Sequence, residues 1–476
     1  MVIFVKISMP NDVEHIINRL EENGYEGYAV GGCVRDVMLG REPKDWDITT
    51  SAKPEEVKAL FRRTIDTGIE HGTITVMLGD QGYEVTTYRM DGEYEDHRHP
   101  KEVIFTPNLV EDLKRRDFTI NAMAYNPHTG IVDEFDGMGD LERKCIRCVG
   151  DPMERFEEDA LRMLRGVRFA GQLLFTIDEN TKHAIARKAP TLVNVSAERI
   201  RTELTKLLLS DGIDRLMLAV ETGLIQYFLP EFEKMLQTRQ NNPHHCFDVG
   251  MHCLAATEQV GPLYEEHRDL FEACDWSHEK IRTILAYAAL LHDIAKPDCL
   301  QTDAEGMDHF YRHPEVGAEK VQELLRRLKF DNDTIHMVTR IVRYHDCRHE
   351  NCYLNGEYSP KGKKGMRRLM NRIGVDAMPF LFVLQKADLY AQSDYQKEEK
   401  LCKLNAAIRA YREVLENREA VKVSDLAIGG AELIQNGVKP GPELGRMLNE
   451  LLNRVMEEPK LNERDTLLGM VKKGDL

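Results

Sequence analysis

Two carboxylates separated by one residue are the first candidates for chemistry in this chain. Asp45 and Asp47 flank Trp46, and Ile48 continues an apolar alternation. Residues two positions apart in a β-strand share a face, so the spacing predicts that both carboxylates point the same way. Two anions held side by side repel each other unless a cation lies between them. The pair therefore predicts a site for a hard divalent metal ion.

A glycine turn and an arginine precede this pair. The apolar run Tyr28–Val30 leads into Gly31 and Gly32, which is typical of a strand entering a tight turn. Arg35 follows on a short predicted helix that ends at Gly40. Backbone N–H groups of a glycine turn can approach a phosphate closely. Each feature alone is common on protein surfaces, but together they indicate nucleotidyl transfer.

The whole stretch 28–50, YAVGGCVRDVMLGREPKDWDITT, resembles the head motif of the nucleotidyltransferase superfamily that contains DNA polymerase beta. More narrowly, it is similar to the class II tRNA nucleotidyltransferases and bacterial poly(A) polymerases. The resemblance implies that the two aspartates bind magnesium ions. It also implies that the glycine turn and Arg35 contact the triphosphate of a bound nucleotide.

An acidic residue in a strand-like run adds a third candidate carboxylate. Glu84 lies in YEVTTY, where an outward-facing strand residue is the structural alternative. The superfamily carries a carboxylate at this place, so the resemblance implies that Glu84 completes a triad with Asp45 and Asp47.

A second motif follows at EDLKRRDFTINAMAYN. Arg116, Asp117 and Asn121 match the family pattern RRDxxxNA. An arginine can clamp phosphate or ribose with two hydrogen bonds. Asp117 and Asn121, four residues apart, are predicted to share one helical face and to bind a ribose 2′-hydroxyl. An ordinary charged helix end is the structural alternative.

A third informative segment, EEDALRMLRGVRFAG, spaces charged residues every three positions on a predicted helix. They are Asp159, Arg162, Arg165 and Arg168. Charged residues at this spacing most often form a solvent-exposed helix face. The segment, however, resembles the family motif EDxxR, in which the Asp–Arg pair recognises the incoming base. Arg165 and Arg168 are implied to complete the nucleotide pocket.

The chemistry of the Asp159–Arg162 pair supports this interpretation. Asp159 offers only acceptors and Arg162 only donors. Cytosine and adenine each present an amino donor beside a ring-nitrogen acceptor, whereas uracil and guanine present a carbonyl beside a ring N–H. The pair therefore matches C and A, and each unmatched buried group would cost roughly 1–3 kcal/mol for U and G.

The second half of the chain carries a different set of candidate ligands. A buried His-Asp pair in the apolar run AALLHDIAK is costly unless it is paired or metal-bound. The order H…HD…D resembles the HD phosphohydrolase superfamily. The resemblance implies a divalent transition metal on four ligands: His252, His292, Asp293 and Asp388.

Two further histidines, His313 and His345, are candidates for a second metal or for phosphate. A degenerate HD fold kept as a helical platform is the alternative for the whole domain. A separate zinc site at His345, Cys347, His349 and Cys352 is not favoured, because the spacing is irregular.

Size and charge limit the partners. The chain has 476 residues, a net charge of −16 and ten scattered cysteines. Basic clusters at 114–116, 162–168 and 361–372 predict that nucleic acid binds to local patches rather than to the whole surface. The opening MVIFVKISMP is too short for a signal peptide, and no run approaches the ~20 apolar residues of a membrane span. We predict a cytoplasmic protein with reduced thiols.

The elements that must position these residues are an α+β head and a helical remainder. The runs Thr73–Leu78 and Tyr83–Tyr88, separated by GDQG, predict a hairpin in a small mixed sheet. We predict a nucleotidyltransferase head over residues 1–150, a helical neck that binds nucleotide and RNA over 151–236, an HD domain over 237–400 and a helical tail over 401–476.

Taken with the resemblance, the motifs predict addition of C, C and A to tRNA 3′ ends from CTP and ATP without a nucleic-acid template. Alternatives are a poly(A) polymerase, an enzyme that adds only CC or only A, and an RNA-binding protein with an inactive head. The HD domain is predicted to hydrolyse phosphate esters at RNA ends. No motif specifies an oligomeric state.

Overall fold

A computed structural model of the chain describes residues 2–3, 7–91, 103–349 and 351–473. The chain divides into two compact units, residues 1–233 and 234–476. The first unit contains a mixed β-sheet with helices, and the second consists almost wholly of helices. The predicted fold class is confirmed, with two short strand pairs interrupting the helical second unit.

The first unit begins with the sheet and ends in helices. Its strands are β1 (Val2–Ile3), β2 (Gly27–Val30), β3 (Ile48–Thr50), β4 (Thr64–Gly68), β5 (Thr73–Leu78), β6 (Gln81–Thr87), β7 (Arg89–Asp91), β8 (Val103–Phe105), β9 (Ala124–Asn126), β10 (Gly130–Val132), β11 (Cys145–Ile146) and β12 (Thr176–Ile177). Its helices are α1 (Asn11–Glu22), α2 (Gly32–Met38), α3 (Pro54–Leu60), α4 (Leu109–Lys114), α5 (Gly137–Glu142), α6 (Pro152–Glu158), α7 (Leu161–Leu173), α8 (Glu179–Lys188), α9 (Ala197–Leu208) and α10 (Leu216–Glu221). Helix α11 (Pro230–Leu236) contains the division between the units.

The main sheet has the strand order β1-β10-β9-β2-β3-β6-β5-β4. Strands β3 and β6 pair in parallel, and the other neighbours pair antiparallel. In the parallel register Ile48 pairs with Val85. Asp47, directly before β3, therefore lies beside Glu84 in the middle of β6.

The predicted hairpin between β5 and β6 is confirmed. Leu78 and Gln81 are register partners, so the turn consists of Gly79 and Asp80. Gly79 has a positive φ of 60°, which a glycine adopts without strain. This tight turn sets the register that turns Tyr83 and Val85 into the core and leaves Glu84 exposed.

The predicted helix across residues 157–171 is broken. Helix α6 ends at Glu158, Asp159 has extended backbone angles (φ −145°, ψ 103°), and α7 begins at Leu161. The Asp159 carboxylate accepts a hydrogen bond of 3.0 Å from the Leu161 N–H. An aspartate that satisfies a free N–H at a helix start competes with helix continuation, which explains the break.

The second unit is a set of packed helices. They are α12 (Val249–Glu266), α13 (His278–Leu291), α14 (Lys296–Cys299), α15 (His313–Arg327), α16 (Asn332–Tyr344), α17 (Gly362–Ile373), α18 (Met378–Ala391), α19 (Lys397–Glu416), α20 (Gly430–Gln435), α21 (Pro442–Glu457) and α22 (Arg464–Lys473). Two short hairpins join them, β13 (Leu300–Thr302) with β14 (Asp308–Phe310) and β15 (Tyr353–Leu354) with β16 (Glu357–Tyr358). Helix α12 packs against α13 and α18, and helices α20–α22 enclose a separate apolar cluster around Leu451.

The His-Asp pair lies just beyond a helix rather than inside it. Helix α13 ends at Leu291, so His292 is its C-terminal cap and Asp293 follows. Pro297 lies in the first turn of the next helix, α14. Among the described helices, none combines the length and apolar character needed to cross a bilayer.

Candidate active sites

The three predicted carboxylates of the head lie near the start of β3, where it pairs with β6. Asp45 and Asp47 lie in the segment before β3 rather than within the strand. The backbone carbonyl of Asp47 accepts a hydrogen bond of 2.9 Å from the Val30 N–H, which continues the pairing of β2 with β3. Glu84 lies on β6. The parallel register thus places the predicted third carboxylate beside the pair.

Their charges influence each other. Partial burial, then Asp47 and Asp45, raise the pKa of the Glu84 carboxyl above its ordinary value. Burial also raises the pKa of Asp47, with Arg116 opposing and Asp45 adding to the rise. The carboxylate oxygens of Asp45, Asp47 and Glu84 are not all within 4.8 Å of one another. Two groups of side chains in the second unit do lie that close together. An all-oxygen acidic set of this kind fits a hard divalent ion.

The glycine turn lies directly under Arg116. Gly31 has a φ of +83°, and a Cβ atom there would lie 2.9 Å from Arg116 Nη1. The Gly31 N–H donates to the Met123 carbonyl at 3.1 Å. Only glycine suits this position, because both the backbone angle and the close guanidinium exclude a side chain.

A chain of buried polar groups joins three of the predicted motifs. Arg35 Nη1 donates to Asn121 Oδ1 at 2.7 Å, and Asn121 Nδ2 donates to Asp117 Oδ1 at 3.1 Å. Arg165 donates to Asp117 Oδ2 through Nε at 2.8 Å and Nη2 at 2.7 Å. Asp117 and Asn121 therefore lie side by side, but the predicted helix that would carry both is wrong: α4 ends at Lys114, and Asn121 ends a short 3₁₀ turn.

The same network controls the ionisation of Asp117. Burial alone would raise the pKa of its carboxyl, but Arg165 and Asn121 outweigh burial and hold that pKa well below its ordinary value. With the Phe118 N–H at 2.8 Å as a further donor, both carboxylate oxygens are engaged. Asp117 is therefore a charged, fully hydrogen-bonded anchor.

Three guanidinium groups surround the Phe169 ring. The centres of Arg168, Arg35 and Arg165 lie 3.8, 5.1 and 5.4 Å from its centroid. Phe169 is buried, and Arg168 also forms an ion pair with the buried Glu203. Cations over an aromatic face are held electrostatically without using all their N–H donors. The cluster concentrates positive charge beside the motif residues.

The predicted Asp159–Arg162 pair is not formed in this structure. Asp159 is bound by Arg199 of α9, with Nη2–Oδ2 at 2.7 Å and Nη1–Oδ1 at 3.2 Å. Arg162 instead pairs with Glu158 and donates to the Arg115 carbonyl at 2.9 Å. The two side chains are neighbours in sequence, but the helix break turns them to different partners.

Sequence reasoning missed Arg199, Phe169 and Glu203. Arg199 and Glu203 lie in the segment SAERIRTELTKLLL, which forms α9. Glu203 falls on its buried face, and a buried acid in an otherwise apolar stripe is a signal for a basic partner.

The four predicted HD ligands converge in the second unit. His252 Nε2 lies 2.9 Å from Asp388 Oδ1 and 3.8 Å from Asp293 Oδ2, while His292 Nε2 lies 3.3 Å from Asp293 Oδ2. These side chains come from α12, α18 and the end of α13. His252, His292 and Asp293 form one group whose ligand atoms all lie within 4.8 Å of one another.

His313 and His345 complete a second group around the other oxygen of Asp293. Their Nε2 atoms lie 3.3 and 3.4 Å from Asp293 Oδ1 and 3.2 Å from each other. Each has Nδ1 within 2.7 Å of a backbone carbonyl, that of Phe310 or Val342. Such a contact orients the ring and directs Nε2 toward the cluster.

Buried atoms at this centre lack hydrogen-bond partners. Among the described residues, His252 Nε2, His292 Nε2 and Asp293 Oδ1 are fully buried without a hydrogen bond of normal geometry. Orphaned imidazole nitrogens and a carboxylate oxygen that face each other are the donor set of a divalent transition-metal site. The ammonium of Lys296 lies 2.7 Å from Asp293 Oδ2 and offsets part of its charge.

The zinc alternative is not supported. His349 Nε2 lies 2.6 Å from Gln385 Oε1, and Gln385 Nε2 donates to the Cys347 carbonyl at 3.0 Å. His345 belongs to the Asp293 cluster. The four residues 345, 347, 349 and 352 therefore do not form a metal-binding group.

The predicted basic patch at 361–372 is largely neutralised within its own unit. Lys364 and Arg368 pair with Glu457 at 3.0 and 2.7 Å, and Arg367 pairs with Glu419. Lys363 lies 3.4 Å from Glu413. This stretch is therefore less available to an RNA backbone than its sequence indicates.

Four family models match the chain in succession. They are the poly(A) polymerase head domain over residues 27–147, the RNA- and SrmB-binding site of polymerase A over 174–236, the HD domain over 244–372 and the tRNA nucleotidyltransferase domain 2 over 375–471. Nucleotidyltransferase and HD domains imply the use of divalent metal ions.

Individual relatives match over nearly the whole length. The chain is 34% identical to a CCA-adding enzyme of Enterococcus faecalis over 98% of this chain and 97% of that protein. A structure of the Bacillus stearothermophilus CCA-adding enzyme in complex with CTP matches with a TM-score of 0.70 and 26% identity over 98% of both chains. The Thermotoga maritima CCA-adding enzyme complexed with tRNA shares the fold, with a TM-score of 0.58 and 18% identity over 98% of this chain and 95% of that one.

Proposed function

The chain belongs to the family of CCA-adding enzymes, and from this membership we propose which of its residues carry out nucleotide addition. It is a nucleotidyltransferase whose substrates are tRNA, CTP and ATP. In the reaction, the 3′-hydroxyl oxygen of the tRNA bonds to the α-phosphorus of the nucleotide and pyrophosphate leaves.

Asp45, Asp47 and Glu84 would hold Mg²⁺ where β3 begins beside β6. When bound, the metal lowers the pKa of the attacking hydroxyl and neutralises charge on the triphosphate. The parallel register that sets Glu84 beside Asp47 supports this assignment, and burial together with the neighbouring carboxylates raises the pKa values of both residues.

Gly31, Gly32, Arg35 and Arg116 bind the triphosphate. Arg116 lies over the backbone of Gly31, so a phosphate on the turn meets its guanidinium group. Asn121 binds the ribose. Asp117 acts through its neighbours, since its own oxygens already accept hydrogen bonds from Arg165 and Asn121.

Asp159 and Arg162 recognise the base, and Arg165 and Arg168 line the pocket. Acceptors on one side chain and donors on the other match the edges of C and A but not of U and G. To meet a base, Asp159 exchanges at least one of its contacts with Arg199, so the base competes with a protein arginine for the same oxygens.

The buried network that joins Arg35, Asn121, Asp117 and Arg165 is the observation that carries this proposal, because it ties the phosphate and base motifs into one unit. The test uses tRNA lacking its last one, two or three nucleotides, with each nucleoside triphosphate offered singly and with CTP and ATP offered together. Extension that stops after CCA is expected. Long A tails would indicate a poly(A) polymerase, and extension by only CC or only A a partial enzyme.

We further propose that the HD centre is a metal-dependent phosphohydrolase acting on phosphate esters at RNA ends. Four histidines converge on the two oxygens of Asp293, and Asp388 joins the set through His252, which supports this proposal. The imidazole-rich set suits a divalent transition metal. Phosphatase and cyclic phosphodiesterase assays that stay unchanged in His292→Ala and Asp293→Ala would instead identify a helical platform.

We assign the protein to the cytoplasm. All ten cysteines are free thiols, which suits a reducing compartment, and tRNA maturation supplies the substrate there.

A further inference from the structure

A large cavity adjoins the HD centre. It has a volume of about 880 Å³, and His345 and Asp388 of the metal-ligand set form part of its wall. Gln392, Lys400 and His244 line another part. Ligand sites for small organic molecules have volumes of about 300–1,000 Å³. The cavity therefore has room for much more than one phosphate group.

A hydrogen-bond chain connects Lys400 to the metal-ligand set. Gln392 Nε2 lies 3.1 Å from each oxygen of Asp388. The other end of the same amide, Gln392 Oε1, accepts from Lys400 Nζ at 2.8 Å. One amide group and two hydrogen bonds therefore separate the ammonium from the carboxylate, a distance of at most about 8 Å. This is comparable with the separation of consecutive phosphates in a polynucleotide chain.

The partners of Lys400 are neutral. Its second acceptor is His244 Nδ1 at 2.9 Å, and burial and Lys400 together lower the pKa of His244. Within the part of the chain that the structure describes, no carboxylate pairs with this half-buried ammonium. By contrast Lys403, three residues further along α19, is paired with Glu399 at 2.6 Å. A cavity-lining ammonium held only by neutral groups retains its attraction for an anion.

The wall that carries these groups is held in place from both sides. The Ser393 N–H donates to the His244 carbonyl at 2.9 Å, and its hydroxyl donates to the Pro243 carbonyl at 2.6 Å. Tyr395 packs edge-on against the His244 ring with centroids 4.9 Å apart. The lysine site is thus preformed, which lowers the cost of ordering it around a ligand.

We propose that this cavity binds the phosphorylated end of an oligonucleotide, with the terminal phosphate at the His-Asp cluster and the preceding phosphodiester on the ammonium of Lys400. The proposal rests on the phosphohydrolase function proposed above for the identity of the terminal group, and it names the substrate class. Lys400 is the residue that distinguishes a chain end from a mononucleotide, because a nucleoside monophosphate has no second phosphate to offer.

The test measures binding rather than turnover. Two fluorescent probes are titrated in the presence of Mn²⁺: a dinucleotide with a 3′-methylene phosphonate, which cannot be hydrolysed, and a mononucleoside with the same phosphonate. Binding is followed by anisotropy to the full chain and to two variants, Lys400→Met and Lys403→Met. Both variants remove one positive charge from the same helix and the same cavity wall, so they form a matched pair.

Lys400→Met is expected to weaken dinucleotide binding by about tenfold, the scale of one hydrogen bond to a charged group. The dissociation constant of the mononucleoside probe should change by less than about twofold in this variant. Lys403→Met should change the dissociation constant of neither probe by more than about twofold.

Three results would each overturn the subsite. They are an equal loss of dinucleotide affinity in the two variants, an equal loss of affinity for the two probes in Lys400→Met, and no measurable binding of the dinucleotide to the full chain. A chain that binds the dinucleotide through Lys400 but hydrolyses no phosphate ester with any divalent metal would contradict the phosphohydrolase function and leave the subsite standing. The two proposals thus fail separately.

Discussion

Arg199 on α9 holds Asp159, at the break between α6 and α7, by two hydrogen bonds of 2.7 and 3.2 Å. A guanidinium that binds both oxygens of a carboxylate fixes its plane as well as its position. The orientation of the proposed base-recognising carboxylate is therefore set by a residue forty positions away in sequence.

Arg199→Met is expected to lower base selectivity more than it lowers the rate. With Asp159 free to rotate, the ratio of kcat/KM for CTP over UTP should fall by about tenfold, the scale of one imperfect hydrogen bond to a charged group. The measurement is single-nucleotide addition to tRNA lacking CCA.

Arg199→Lys provides the control, because lysine keeps the charge but lacks the two-point geometry and should give an intermediate ratio. An unchanged ratio in Arg199→Met would show that Asp159 needs no support from α9.

Asp45→Ala should abolish nucleotide addition while the far-ultraviolet circular dichroism and the melting temperature stay unchanged. The side chain is exposed, so its loss leaves no cavity, whereas the metal loses a ligand. Asp66→Ala, which removes an exposed acid of the same unit, should keep full activity. Retained addition by Asp45→Ala would refute the metal assignment.

Gly31→Ala tests the glycine turn. The added Cβ would meet Arg116 Nη1 at 2.9 Å and would require an unfavourable backbone angle. Since displacing a positioning group costs large factors in rate, kcat/KM for CTP should fall by about ten- to a hundredfold.

Gly40→Ala separates the two causes. Gly40 also has a positive φ, 69°, but no heavy atom lies within 4 Å of its Cβ position. The Gly40→Ala variant should lose folding stability to a degree similar to that of Gly31→Ala and should keep its kcat/KM for CTP. Equal catalytic losses at both glycines would mean that backbone strain, not the position of Arg116, explains the effect.

The sequence was informative where chemistry follows a local period. The alternating run YEVTTY predicts the strand that carries Glu84, whereas the place of Glu84 beside Asp47 depends on the parallel pairing of β3 with β6, which no local pattern indicates. The Asp159–Arg162 pair was harder, because the helical period runs without interruption across 157–171. The Asp159 side chain accepts a hydrogen bond from the Leu161 N–H where the helix is interrupted. The same carboxylate also accepts from Arg199.

The HD ligands were predictable for a different reason. A histidine and an aspartate in an apolar run carry a burial cost that only partners can offset, and the family order supplies the others. The sequence could not indicate that Asp293 presents one oxygen to each of two groups, because that depends on how the ends of α13, α15 and α16 meet.

Asp117→Asn should destabilise the first unit by about 3–5 kcal/mol at neutral pH, the usual cost of breaking a buried ion pair. Asp117 is only 7% exposed, and the change removes the carboxylate that binds Arg165 at two points, leaving Glu203 at 3.7 Å as its remaining anion. Because the folded pKa of Asp117 lies below its unfolded value, this stability is present above about pH 4 and is lost as the pH falls toward the folded pKa.

Urea titrations at pH 7 and pH 3 measure the effect. The difference in midpoint between the parent chain and Asp117→Asn should shrink at the lower pH. Asp214→Asn, which breaks an exposed pair with Arg215, should have little effect at either pH. A difference that stays constant with pH would mean that packing, not charge, makes Asp117 important.

Co²⁺ should raise the melting temperature of the second unit through the Asp293 centre. Excess Mg²⁺ is kept present so that the carboxylates of the head are already occupied. A ligand at a hundred times its dissociation constant stabilises the folded state by about 2.7 kcal/mol. His292→Ala removes an imidazole whose Nε2 lies fully buried without a hydrogen bond, so it should abolish the shift. His309→Ala, which removes a histidine paired with Asp303 outside the cluster, should retain it. A full Co²⁺ shift in His292→Ala would place the metal elsewhere.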